Sequence, residues 1–155
     1  MSIICNKGLS FKLNEQNFTA IIINLVSPEK SIFIPRSIQY LSHDYIITRI
    51  NDKAFKDNKT FQEIEFASDS ELISLGNEAF SNSAIEKVVI PYQVCQIGEN
   101  IFSFCQNLKT VELPKNSKFR IICKNAFYSS SIEFISIPSQ IIQIDNCAFY
   151  NCKNL

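Results

Sequence analysis

The chain offers few residues that could do chemistry. His43 is the single histidine, and the cysteines stand at 5, 95, 105, 123, 147 and 152. One histidine in the turn-like stretch "SHD" cannot build a Ser-His-Asp triad or a multi-histidine metal site. The cysteine spacings match neither a zinc pattern nor a compact secreted disulfide framework, so buried reduced thiols are expected. The acids make the best catalytic case. Glu65 and Glu112 fall at equivalent places in two strand-like stretches, which would set them about 10 Å apart if two strand spacings separate them. Inverting glycosidases hold two carboxyls about 6.5–9.5 Å apart. Yet Glu86 and Glu133 repeat in the same manner, as residues of a solvated face do, and there is no Trp for sugar stacking. No catalytic, cofactor-binding or metal-binding residue is therefore assigned.

Those acids depend on the elements that carry them, and the elements repeat. "EAFSNSAIEKVVIP" (Glu78 to Pro91) returns 47 residues later as "NAFYSSSIEFISIP" (Asn125 to Pro138). Phe55, Phe80, Phe102, Phe127 and Phe149 are spaced 25, 22, 25 and 22 residues apart, so two coil types alternate. Five residues before each Phe stand Ile50, Leu75, Ile97, Ile122 and Ile144, and eight before stand Ile47, Leu72, Val94, Phe119 and Ile141. A coil of this length cannot bury an apolar face alone, so successive coils must stack around a shared core. The residue before each Phe is Ala54, Ala79, Ile101, Ala126 or Ala148, and this step is expected to form a brief helical turn that drops the ring inward.

After each Phe comes a strand pattern. "FQEIEF", "IEKVVI", "LKTVEL" and "IEFISI" all place apolar residues at their fourth and sixth positions, the alternation of a half-buried strand. Pro35, Pro91, Pro114 and Pro138 follow such stretches and mark where the ladder stops, since Pro donates no N–H. Small polar residues three after each Phe (Asn58, Ser83, Cys105, Ser130 and Cys152) are expected to bond to backbone at a tight corner. Cys105 and Cys152 lie two coils apart, beyond the roughly 7 Å reach of a disulfide, and should be free thiols.

"IPYQVCQIGENIFSFCQNLKTVEL" and "IPSQIIQIDNCAFYNCKNL" resemble the BspA-type leucine-rich repeat. The resemblance runs from about Ile34 to Leu155 and implies a β-rich repeat solenoid, a right-handed leucine-rich-repeat superhelix of about five coils. Proteins of this kind are often surface antigens or adhesins, so the resemblance implies a cell-surface location. Two departures stand out: Ile101 replaces Ala, and Ala67 to Glu71 form an insertion.

Residues 1–33 do not fit the repeat. "LSFKL" and "FTAIIINLV" read as a capping β-hairpin, and residues 34–155 as the repeats, the last one incomplete. A second hairpin is expected to turn at Ser42 to Asp44. The last coil has no cap in the sequence, which suits either a piece of a longer array or end-to-end self-association through the uncapped coil.

Fifteen basic and fifteen acidic residues cancel, so no cationic excess exists to displace counterions from nucleic acid. No stretch approaches the roughly 18 apolar residues of a membrane helix, so no membrane insertion is expected in this segment. The first residues lack the pattern of a signal peptide. The leading expectation is a non-catalytic binding or adhesion module presenting a sheet face to a protein or glycan partner. That face comprises Glu63, Glu65, Lys87, Val89, Thr110, Glu112, Phe134 and Ser136. The alternatives are a structural segment without a ligand of its own and, more remotely, a polysaccharide-active enzyme using Glu65 and Glu112.

Overall fold

A computed structural model describes residues 2–113 and 118–155. Its elements, in chain order, are β1 (Ile3–Asn6), β2 (Leu9–Asn14), β3 (Thr19–Leu25), β4 (Ser31–Ile34), β5 (Ser37–Tyr40), β6 (His43–Ile50) and β7 (Glu63–Phe66). They continue as β8 (Ser74–Leu75), β9 (Lys87–Val89), β10 (Gln96–Ile97), β11 (Thr110–Glu112), β12 (Ile121–Ile122), β13 (Phe134–Ile135) and β14 (Gln143–Ile144). From β7 onward each strand pairs in parallel with the strand two further along the chain, because successive coils lie in register. Two sheets result. One runs β4, β7, β9, β11, β13; the other carries β6, β8, β10, β12, β14. The chain is a β-solenoid, and no helix occurs among the described residues.

The interior is the row of repeated phenylalanines. Phe55, Phe80, Phe102, Phe127 and Phe149 stack with ring centroids 5.1, 5.4, 5.4 and 5.1 Å apart. Each such pair adds about 0.5–1.5 kcal/mol beyond the apolar area it buries. Ile50, Leu75, Ile97 and Ile122 form a second buried row beside them, and Leu72, Val94 and Phe119 a third.

The expected helical turn at the Ala-Phe step is replaced by a run of tight turns, as in Ala54 N–H to Asn51 O, Lys56 N–H to Lys53 O and Asn58 N–H to Phe55 O. The residues two before and two after each Phe have left-handed backbone: Lys53 and Asp57, Glu78 and Asn82, Asn100 and Phe104, Asn125 and Ser129, Cys147 and Asn151. A helix would direct every N–H within its own coil. Here alternate N–H groups serve the neighbouring coil instead, as Lys53, Phe55 and Asp57 donate to the carbonyls of Asn77, Ala79 and Ser81 at 2.8–2.9 Å. Stacking thus gives these buried peptide groups partners that a single coil could not supply.

At the start of the chain, β2 pairs antiparallel with β3 as the sequence suggests, and β1 adds to β2. β3 then lies parallel beside β6. The strand β4 spans residues on both sides of position 33 and pairs in parallel with β7. The second hairpin joins β5 to β6, but it turns at Leu41 and Ser42, both left-handed, with His43 and Asp44 already in the strand. Pro35 directly follows β4, Pro91 stands two residues after β9 and Pro138 three residues after β13; Pro114 lies outside the described residues.

Candidate functional site

The strands of the β4–β13 sheet point alternate residues inward. Ile32, Ile34, Ile64, Val88 and Val111 are buried, which forces their neighbours to the opposite face. Register then fixes two rows. Ser31, Glu63, Lys87, Thr110 and Phe134 lie side by side in one. In the next, Phe33 lies beside Glu65, and Val89 beside Glu112. Phe134 is 64% exposed, Phe33 56% and Val89 46%. Ser136, just past β13, is exposed as well. Lys87 Nζ reaches Glu112 Oε1 at 2.8 Å across the strands. Glu63 and Glu65 have no ion-pair partner among the described residues.

Two grooves border this face where its strands end. One, of about 600 Å³, runs beside Glu65 and Val89 and is walled by the inserted Ala67–Glu71 segment and Tyr92. Arg36 pairs with Glu71 and ties that wall to the neighbouring coil. The other, of about 560 Å³, lies beside Glu112, Phe134 and Ser136. All eight face residues expected from the sequence thus share one surface. Phe33 shares it too, although it stands ahead of the repeats as the sequence divides them. Its signal is "SIFIP", the same apolar alternation ending in Pro as later strands.

Glu65 and Glu112 belong to strands separated by β9, about 10 Å by strand spacing. Both are exposed and Glu112 is held by Lys87, so neither has the dry surroundings of a general acid. His43 stacks on Phe18 with centroids 4.8 Å apart, and its Nδ1 donates to the Leu41 carbonyl at 3.0 Å. It serves the hairpin. No cluster of three or more His, Cys, Asp or Glu could hold a metal ion among the described residues.

All six cysteines are free, but only Cys105 is fully buried; Cys5, Cys95 and Cys147 are exposed. The corner ladder is present. Cys105 and Cys152 donate to the carbonyls of Phe80 and Phe127, each at 3.0 Å, and Asn58 Oδ1 accepts from the N–H groups of Thr60 and Phe61. Burial pushes the Cys105 thiol above its ordinary range, which keeps it protonated and unreactive. Burial, with Asp145 and Glu99 nearby, acts on Cys123 in the same direction.

On the turn side Lys56 bonds to Glu78 of the next coil. That bond holds the Glu78 carboxyl below the usual carboxylate range and raises Lys56. Phe104, Tyr128 and Tyr150 form an outer aromatic column with centroids 5.5 and 5.3 Å apart. Tyr128 and Tyr150 lie nearly parallel at 15°, so each covers a face of the other. Among the described residues no helix is long and apolar enough to cross a membrane.

A family profile described as the BspA type Leucine rich repeat region matches residues 27–155 in six copies. No curated protein matches the sequence. Among solved structures, the leucine rich repeat protein of T. pallidum superposes with a TM-score of 0.85 at 18% identity, over 99% of this chain and 69% of that one. The pneumococcal vaccine antigen PcpA gives 0.77 at 20% identity, over 97% of this chain and 47% of that one. A leucine rich cell surface protein from Faecalibacterium prausnitzii gives 0.53 at 21%, over all of this chain and 53% of that one.

Proposed function

The chain belongs to the BspA-type leucine-rich-repeat family, and from that premise we propose that it is a non-catalytic binding and adhesion module acting at a cell surface. Its partner is a protein or a glycan held on the outer face of the β4–β13 sheet. One observation carries this reading: Phe33, Val89 and Phe134 are exposed together on one sheet face, beside the charged residues Glu63, Glu65, Lys87 and Glu112. Repeat proteins use broad surfaces of this kind as contact areas. A few aromatic anchors ringed by polar residues supply most of the energy in such contacts. A surface location is supported by the family and by the fold neighbour described as a cell surface protein.

The test uses a glycan array and a panel of purified extracellular-matrix proteins. The protein binds at least one member. Replacing Glu65, Lys87, Glu112 and Phe134 together by Ala weakens that binding roughly a hundredfold, as loss of a hot-spot cluster does, while circular dichroism stays unchanged. Undiminished binding by the quadruple variant would place the contact on another surface.

A further inference from the structure

We propose that the groove beside Glu65 and Val89 takes a Lys or Arg side chain from a basic segment of a protein partner. This rests on the sheet face being a contact surface, and it names the partner chemistry at one end of that face. Charge singles that end out. The whole chain is neutral, with fifteen basic and fifteen acidic residues. The outward rows of the β4–β13 sheet are not, because Glu63, Glu65 and Glu112 stand there against Lys87 alone. Lys87 is already paired with Glu112, which leaves Glu63 and Glu65 without a cation among the described residues.

The repeat builds two comparable grooves at the strand ends, and they differ in charge. The groove of about 560 Å³ beside Phe134 has one carboxylate, Glu112, which Lys87 neutralises. The groove of about 600 Å³ beside Val89 has three: Glu65, Asp69 and Glu71. Arg36 neutralises Glu71, while Glu65 and Asp69 are exposed and make no ion pair among the described residues. No Lys, Arg or His lines this groove. Asp69 and Glu71 come from Ala67–Glu71, the segment that interrupts the repeat, so the regular columns do not supply this charge.

The neutral part of the wall selects the form of the cation. Val89 is 46% exposed and Tyr92 50%, and both line the groove. A Lys or Arg side chain lays its aliphatic stem on such a surface and keeps its charged head with carboxylates in water. Neutral glycans gain nothing from free carboxylates, and anionic glycans are repelled by them. The groove's volume falls within the roughly 300–1,000 Å³ of ligand-binding clefts, so one long side chain enters with space to spare.

The probe is a dye-labelled, acetylated and amidated nonapeptide with Arg-Leu-Arg at the centre of a Gly-Ser background. Matched peptides carry Lys, citrulline or Glu in place of both Arg residues. Binding is followed by fluorescence polarisation. The Arg and Lys peptides bind; the citrulline peptide, which keeps the stem and loses the charge, binds roughly tenfold more weakly, and the Glu peptide does not bind. Raising salt from about 0.05 M to about 0.3 M weakens the Arg peptide several-fold, because exposed charges are screened. Glu65→Gln and Asp69→Asn each weaken it about threefold and together about tenfold, the scale of exposed ion pairs. Glu99→Gln, at an exposed carboxylate outside the sheet face, leaves binding unchanged. Glu65→Lys reverses the preference from the Arg peptide to the Glu peptide. All these substitutions change exposed side chains, and an unchanged urea midpoint checks that each variant is folded. The proposal is overturned if the Arg peptide fails to bind at about 1 mM, the weak end of specific affinity. It is also overturned if the citrulline peptide binds as well, or if the double variant of Glu65 and Asp69 binds normally. Tighter binding of a glucosamine oligomer would make the occupant a cationic glycan, and overturns it equally. If the Arg peptide fails while the array still yields a partner that the quadruple variant loses, the sheet face stands without this occupant; if both fail, the face falls as well.

Discussion

Phe102 and Phe134 are the same side chain in opposite surroundings. Phe102 is fully buried between two parallel rings, whereas Phe134 is largely in water. Removing a buried ring loses its transfer energy and leaves a cavity that stacked neighbours cannot close. Phe102→Ala should therefore cost about 3–5 kcal/mol in urea unfolding, and Phe134→Ala less than about 0.5 kcal/mol. A comparable loss at Phe134 would mean that it supports the fold and is not free for a partner. The difference was legible in the sequence because Phe102 recurs at coil spacing and Phe134 falls at an outward strand position. Phe33 was not legible as a member of the face. It precedes the first repeated Phe, so no column assigned it a place; the alternation in "SIFIP" was the available signal, and pairing of β4 with β7 fixes its position.

The turns between the sheets explain both a success and a failure of sequence reading. Strands were readable from period-two burial. The Ala-Phe steps were expected to be brief helical turns that drop the ring inward. What decides against a helix is left-handed backbone at residues as varied as Lys53, Asp57, Glu78 and Phe104. Composition cannot signal this, since the conformation is imposed by bonding to the next coil. Glycine is required for a different reason: close approach of backbones. A Cβ on Gly98 would lie 2.6 Å from the backbone N of Asn77 and the carbonyl C of Gly76. The same crossing is tied by Asn77 Oδ1, which accepts from Glu99 N at 2.9 Å. Backbone cannot yield as a side chain does, so Gly98→Ala should destabilise by about 1–3 kcal/mol. An unchanged urea midpoint would show that the coils have room to separate.

Across the whole molecule, each coil touches only the coils before and after it, so disturbance should stay local. In Phe102→Ala, amide exchange should accelerate first around Phe80 and Phe127, while the β2–β3 pair keeps its protection. Uniform acceleration would mean that the array unfolds as one unit. The turn side carries a further implication. At the repeated Phe of each turn and the left-handed residues two before and two after it, from Lys53 to Ser129, the cross-coil N–H is given forward along the chain to a carbonyl on the later coil. A turn of this solenoid accordingly has a sending side and a receiving side, like a brick with studs above and sockets below. Excising one 47-residue period, Glu78 to Lys124, would join a sender to a receiver on the turn side and leave no donor there stranded. Such a lineage can lengthen or shorten its reach by whole paired turns without redesigning a single joint.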